Sequence, residues 1–127
     1  LINLNRFSKQ ATQLSYPNQM HKKVSKILKY INNNYSQDFT VKFLSKKFAI
    51  SRSYLSSIFK KITGFSMTKY INSIRVKEAE RMLRNTDLKI TRISTDVGFN
   101  SLTHFDRVFK KVTGLNPSEY RKLNNIK

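Results

Sequence analysis

Apolar residues recur at helical spacing along most of the chain. After Met20, the residues Val24, Ile27, Leu28 and Ile31 follow one another at intervals of three or four and form one apolar stripe. No segment alternates apolar and polar residues in the way a half-buried strand does. The pattern therefore predicts an all-α fold with about seven helices.

Polar residues and glycines mark the ends of the later helices. Thr40 and Ser51 suit N-caps, Ser66 opens a longer helix, Gly64 and Gly114 suit helix stops, and Pro117 suits a first turn. The apolar positions between these signals predict the buried faces. They are Val41, Leu44 and Phe48; Leu55, Ile58, Phe59 and Ile62; Met67, Tyr70, Ile71, Ile74, Met82 and Leu83; Ile90, Ile93 and Val97; Phe105, Val108, Phe109 and Val112; and Tyr120 and Leu123.

The chain contains an internal repeat. A shift of 50 residues aligns 51–70 with 101–120, with identities at Ser51/Ser101, Phe59/Phe109, Lys60/Lys110, Lys61/Lys111, Thr63/Thr113, Gly64/Gly114 and Tyr70/Tyr120. Upstream, the better shift is 49, which pairs Leu44 with Ile93 and Ala49 with Gly98. The second copy therefore holds one extra residue in its turn, near Asn100. Two copies are too few for a solenoid and indicate a duplicated helix-turn-helix.

Each predicted second helix carries an apolar face opposite a small-polar or basic face, as insertion into the DNA major groove requires. The predicted connecting helix over 66–84 spans about 28 Å at 1.5 Å per residue. Adjacent major grooves on one face of a duplex lie about 34 Å apart. The two reading helices can therefore enter adjacent grooves as one monomer.

The charge balance supports a polyanionic partner. The 127 residues include 25 Lys and Arg against seven Asp and Glu, a formal charge of +18, while the 39% hydrophobic content still allows a folded core. There is no cysteine, which excludes disulfides and fits a reducing compartment. No apolar run is long enough to cross a bilayer.

These motifs resemble the AraC/XylS family of transcription regulators. The resemblance rests on residues 44–61, on Val97-Gly98-Phe99-Asn100, on 104–111 and on 114–121, with Arg75 also fitting the family pattern. It covers about residues 22–122. It implies two homeodomain-like helix-turn-helix subdomains bridged by a long helix, and promoter binding, usually in activation. Ser45 and Ser94 replace a frequent Ala, Met67 a frequent Pro, His104 a frequent Tyr and Ser57 a frequent Arg.

The corresponding domain organisation places a DNA-binding domain over 20–127. Its first helix-turn-helix covers about 40–64 and its second about 89–114. Because the chain begins at Leu1 and not at Met, we interpret 1–19 as a linker or arm following an N-terminal region that carries an effector-binding, dimerising or receiver domain. We expect the isolated domain to be monomeric and the protein to work in the bacterial cytoplasm with promoter DNA and RNA polymerase.

The outward faces supply the candidate site. Predicted base-reading residues are Arg52, Ser53, Ser56, Ser57, Thr103, Asp106 and Arg107. Predicted phosphate or flanking contacts are Thr40, Ser51, Tyr54, Lys60, Lys61, Thr91, Ser101, His104, Lys110 and Lys111.

Several of these residues keep a second interpretation. Arg107 either reads guanine, contacts phosphate or pairs with Asp106 or Asp96. Asp106 either accepts from cytosine, orients Arg107 or is a tolerated carboxylate at the groove edge. The hydroxyls either bond to DNA or are small residues that permit close approach, and the lysines contact phosphate or are solvated. Thr40 and Thr91 either present helix N-termini to phosphate or are simple N-caps, and His104 is either a DNA contact or a partly packed ring.

Three other classes compete with a specific DNA reader. An enzyme lacks support, because no HExxH motif, phosphate-binding glycine loop or cysteine occurs. We expect no metal and no cofactor. A non-specific architectural or RNA-binding protein fits the charge equally well but leaves the repeated helix unexplained. A membrane-surface protein is disfavoured because the apolar positions are better explained as a shared core.

Overall fold

Seven helices make up the part of the chain that the computed structural model describes, residues 18–125, and no strand occurs there. They are α1 (Asn18–Asn34), α2 (Val41–Lys47), α3 (Arg52–Thr63), α4 (Met67–Asn85), α5 (Ile90–Asp96), α6 (Leu102–Thr113) and α7 (Pro117–Asn124). The all-α prediction is confirmed. The predicted arm over 1–19 falls outside the described residues up to residue 17, and α1 begins two residues before Met20.

The described residues divide into two units, and the boundary falls within α4. The first unit comprises 18–34 and 38–71; the second comprises 35–37 and 72–125. The loop 35–37 therefore belongs with the second helix-turn-helix although it directly follows α1.

The first unit is built on the apolar stripe of α1. Val24, Ile27, Leu28 and Ile31 are all buried, as are Leu44 of α2 and the predicted stripe of α3. The rings of Phe59 and Tyr70 meet edge to face at 5.4 Å. Burial of one face of each helix, rather than intrinsic propensity, stabilises helices as short as α2.

The second unit has a separate core. Its buried cluster comprises Val76, Ala79, Leu83, Ile93, Val97, Phe99, Phe105 and Phe109. Phe105 packs between Phe99 and Phe109, and Tyr120 of α7 meets Phe109 edge to face at 5.5 Å. The aromatic rings therefore join α6, α7 and the turn before α6 into one unit.

The repeat uses the same helix-ending device twice. The Thr63 hydroxyl donates to the Phe59 carbonyl at 2.8 Å and accepts from the Phe65 amide. Thr113 does the same with Phe109 and Leu115. The following glycines, Gly64 and Gly114, are left-handed at φ 83° and 86°. These contacts give a physical reason for the Thr-Gly identities of the two copies.

The two turns differ in length, as the change of shift predicts. The turn Phe48–Ser51 separates α2 from α3, and Val97–Ser101, one residue longer, separates α5 from α6. Both contain a left-handed residue, Ala49 at φ 53° and Gly98 at φ 110°.

Two predicted core positions are wrong. Val112 is 48% exposed and Leu123 is 58% exposed, whereas Ile62, the counterpart of Val112, is buried. Helical spacing places Val112 on the inward side of α6, but the core of the second unit reaches only as far as Phe109 and Tyr120. The last turns of α6 and α7 therefore extend past the elements that would cover them.

Candidate nucleic-acid interface

The outward face of α3 is polar and free of acidic groups. The Ser51 side chain accepts from the Tyr54 amide at 3.3 Å and caps the helix. Leu55, Ile58, Phe59 and Ile62 are turned into the core. The predicted base-reading side chains of this copy are all exposed; they are Arg52, Ser53, Ser56 and Ser57. Tyr54 and Lys60 are exposed beside them.

The outward face of α6 has a different chemistry on the same frame. The Ser101 side chain accepts from the His104 amide at 3.1 Å, and Phe105 and Phe109 anchor the inner side. Thr103 and Arg107 are exposed, and Asp106 is half-buried. The helix therefore presents a hydroxyl, a carboxylate and a guanidinium on its outward surface.

Arg107 and Asp106 have no ion-pair or hydrogen-bond partner among residues 18–125. Asp96, the other candidate partner, instead accepts from Arg92 at 3.1 Å within α5. An intramolecular pair of Arg107 with Asp106 or Asp96 is therefore not formed. The guanidinium keeps its full set of donors for an external acceptor.

His104 and Tyr54 occupy equivalent positions in the two copies. Both side chains are exposed, and the rings of His104 and Phe99 form a T-shaped pair with their centroids 5.5 Å apart. His104 is therefore both in contact with a core ring and accessible from outside, so neither of its two interpretations is removed.

The two threonines predicted at helix N-termini, Thr40 and Thr91, differ in whether they cap their helix. Thr40 caps α2, because its hydroxyl accepts from the Phe43 amide at 3.1 Å. Thr91 does not cap α5: the N-cap is Lys89, which makes no side-chain cap bond, and Thr91 is the second helical residue. The 49-residue shift pairs Thr40 with Lys89, and an ammonium group cannot accept the orphan amide hydrogens. The capping interpretation of Thr91 is therefore wrong.

The paired lysines lie in the last turns of both reading helices. Lys60, Lys61, Lys110 and Lys111 are all exposed. A cation in the last turn also stabilises the helix by a few tenths to about 1 kcal/mol, because it interacts with the negative end of the helix dipole. Their repetition therefore has a helix-stabilising cause in addition to any phosphate contact.

Leu102 is an exposed residue that the predicted site omits. It is the first residue of α6, is 40% exposed, and is the repeat counterpart of Arg52. The repeat indicates this position, because its counterpart Arg52 is a predicted base-reading residue. An apolar side chain here suits contact with a thymine methyl group.

Arg75 positions the turn that precedes α6. Its Nε donates to the Tyr35 carbonyl at 2.7 Å, a terminal guanidinium nitrogen donates to the Gln37 carbonyl at 3.0 Å, and the guanidinium lies over the Phe99 ring. Gly98 packs against the same group, since a Cβ there would lie 2.9 Å from Arg75 Nε and from Ser36 backbone atoms. The family-pattern Arg is thus a positioning residue within the second unit.

The shifted tyrosine pKa values come from packing. Burial raises the pKa of Tyr70, and burial followed by the nearby Glu78 carboxylate raises that of Tyr35. Burial also raises the pKa of Tyr120, against the opposing effect of its bond with Arg84. These groups belong to the cores and not to the outward faces of α3 and α6.

Residues 18–125 contain neither a metal-binding cluster nor a helix that could span a membrane. No cluster of three or more His, Cys, Asp or Glu side chains in that range suits a metal ion. None of its helices combines the length and apolarity needed to cross a membrane.

Comparison with known proteins decides the family. A family model described as a helix-turn-helix domain matches residues 44–123, which include both turns and both reading helices. The chain belongs to the AraC/XylS family.

Two of the matches are proteins with regulatory names. This AraC/XylS-family chain is 38% identical over 99 residues to the Msm operon regulatory protein of Streptococcus mutans, covering 78% of the chain and 36% of that protein. It also matches the C-terminal domain of AraT, a response regulator from Geobacillus stearothermophilus, at 28% identity and a TM-score of 0.77, covering 90% and 92% of the two chains.

A third match shows the fold alone. The DNA-binding domain of the global transcriptional factor AdpA, solved in complex with a target DNA, superimposes with a TM-score of 0.76 at 22% identity, covering 80% of this chain and 91% of that one. The AraC/XylS-family chain spans about a third of the length of the curated relatives it matches. It corresponds to the helix-turn-helix DNA-binding domain of that family.

Proposed function

We propose that this domain binds promoter DNA sequence-specifically, with α3 and α6 each entering a major groove. One observation carries the proposal. The second helix of each helix-turn-helix, α3 in the first and α6 in the second, buries an apolar stripe and presents an exposed polar or basic face. The small hydroxyl residues permit close approach of the backbone, and Arg107 has the donors for a bidentate bond to guanine O6 and N7. The lysines in the last turns and the caps Thr40, Ser51 and Ser101 supply candidate phosphate contacts.

In the full-length protein we infer a regulator of transcription, acting chiefly as an activator through RNA polymerase in the bacterial cytoplasm. A preceding effector-binding, dimerising or receiver region would supply the signal. The family membership and the regulatory names of the relatives support this assignment. The isolated domain is proposed to act as a monomer, because the chain carries two copies of the reading element.

The test is a selection of duplexes from a random pool of about 30 bp, long enough to span adjacent major grooves. It is run at about 150 mM salt, followed by footprinting of the selected site. Arg107→Ala is expected to relax the base preference at one position and cost about 1–3 kcal/mol there.

The control is Lys122→Ala, an exposed cation on α7 outside both reading helices. Equal loss of affinity on selected and scrambled duplexes for Arg107→Ala would reject the assigned role of Arg107. Absence of any enriched motif, with strong binding to every duplex, would favour an architectural protein instead.

A further inference from the structure

We propose that the two units divide the work of recognition: the second unit selects bases, and the first holds DNA without regard to sequence. This inference rests on the proposed function and deepens it. It assigns sequence discrimination to Asp106 and Arg107 of α6. The serine face of α3, formed by Ser53, Ser56 and Ser57, then contributes none.

The acidic residues are distributed unevenly between the units. Among the described residues, the first unit has eleven Lys and Arg against one acidic residue, Asp38. The second unit also has eleven Lys and Arg, but against six acidic residues: Glu78, Glu80, Asp87, Asp96, Asp106 and Glu119. Attraction to phosphates is sequence-independent and grows with uncompensated positive charge. The first unit is therefore the stronger electrostatic anchor.

The two outward faces differ where the repeat aligns them. Asp106 and Arg107 of α6 correspond to Ser56 and Ser57 of α3 at the shift of 50. A serine hydroxyl both donates and accepts, so it bonds to either kind of base edge. A guanidinium only donates and a carboxylate only accepts, so each rejects base edges of its own kind. Asp106 and Arg107 therefore discriminate between base pairs, whereas Ser56 and Ser57 accept different base pairs.

A half-buried carboxylate on a DNA-facing helix weakens general affinity. Asp106 has no cationic partner among residues 18–125, so its charge repels phosphates and base-edge acceptors unless a donor such as cytosine N4 lies opposite. This penalty is the kind of repulsive element that raises specificity by disfavouring wrong sites. The serine face of α3 has no such element.

Arg52 is the cation nearest the start of α3 and is assigned here to phosphate. It is the first helical residue, directly after the N-cap, and its side chain is exposed. Its counterpart is the apolar Leu102, so this position does not carry the same base contact in both copies. Arg52→Ala is expected to weaken binding to all duplexes by the same factor.

The deciding experiment exchanges the two pairs without changing the net charge. Asp106→Ser with Arg107→Ser removes one negative and one positive group, and Ser56→Asp with Ser57→Arg adds one of each. Ser56→Ala with Ser57→Ala is the matched control. For each protein, the affinity for the selected site and for a scrambled duplex is measured at one salt concentration, and the selection is repeated. Circular dichroism verifies that each variant folds.

For the wild-type protein, one motif should be enriched. The Asp106→Ser, Arg107→Ser variant should lose about 10- to 100-fold in the ratio of selected to scrambled affinity. Its scrambled affinity should stay within about threefold of wild type, because the net charge is unchanged. The alanine control should keep the same motif, and the Ser56→Asp, Ser57→Arg variant should gain a second one.

Two enriched motifs for the wild type, one of them lost in the alanine control, would overturn the inference while leaving the proposed function intact. An Arg52→Ala variant that loses one base preference would overturn it as well. A wild-type chain that binds no duplex would reject the proposed function itself.

Discussion

At the scale of single residues, both turns contain one residue with a positive φ, but the residue type differs. The left-handed residue is Ala49 in the first turn and Gly98 in the second. Only Gly98 is also enclosed, with Arg75 and Ser36 atoms where a Cβ would be. The first position thus tolerates a side chain that the second excludes.

Gly98→Ala is therefore expected to lower the free energy of unfolding by at least about 2 kcal/mol, from left-handed strain plus overpacking. Ala49→Gly is the matched control. This substitution relieves the left-handed strain of the folded state but raises the conformational entropy of the unfolded chain. Each effect is about 1 kcal/mol and they oppose each other, so the net change in the free energy of unfolding should be small. Urea unfolding followed by circular dichroism measures both. Equal small changes would contradict the enclosure of Gly98.

At the scale of elements, Arg121 joins α7 to the end of α4 and to the segment that follows it. Arg121 donates to the carbonyls of Leu83, Thr86 and Leu88 at 3.2, 3.1 and 2.7 Å. Leu83 lies in the last turn of α4, where carbonyls lack partners within the helix, and Thr86 and Leu88 lie in the segment after it. The guanidinium satisfies all three carbonyls, and its charge compensates the negative end of the helix dipole. The contact explains how so short a helix as α7 is held against the second core.

Replacing Arg121 with Ala is expected to cost about 2–3 kcal/mol of stability, because three charge-assisted bonds to partly buried carbonyls are lost. Arg121→Lys should recover only part of this, since an ammonium is a point charge without the planar fork. The neighbouring exposed Lys122→Ala should change stability by less than about 0.5 kcal/mol. Thermal and urea unfolding compare the three. A loss no larger than that of Lys122→Ala would show that the clamp contributes nothing.

At the scale of the whole molecule, charge governs affinity. The formal charge of +18 far exceeds what a small domain needs for solubility. Neutralising phosphates releases counterions from the duplex, so binding should weaken steeply with salt.

If six to ten phosphates are contacted, affinity should fall by about 10³–10⁵ between 50 and 200 mM salt. Lys111→Ala should weaken binding to selected and scrambled duplexes alike and reduce the slope of log affinity against log salt by about 1. Fluorescence anisotropy over a salt series measures the slope. A Lys111→Ala slope equal to that of wild type would assign Lys111 to solvated surface, and an unchanged affinity of the wild type across the series would reject the electrostatic mechanism.

The sequence by itself determined the features that depend on neighbours within about one helical turn. Helical periodicity, the caps at Thr40 and Ser51 and the Thr-Gly helix ends are local, because each bond joins residues two to four positions apart. The repeat is also visible in the sequence, because each copy carries the same local signals about 50 positions apart, and together with the family motifs it predicts the two reading helices and most of their exposed side chains.

Only the tertiary structure decided which apolar positions are covered and which carbonyls the arginines bind. Val112 has core spacing, yet no neighbouring element covers it. Arg75 and Arg121 bind carbonyls 40 and 38 positions away, and their partners are backbone groups that carry no residue signature. The Arg92–Asp96 pair is itself local, since it joins residues four positions apart within α5, but only the tertiary structure decided that Arg107, eleven positions beyond Asp96, does not reach that carboxylate. Periodicity specifies the face of a helix, whereas the extent of the packing around that face depends on the whole chain.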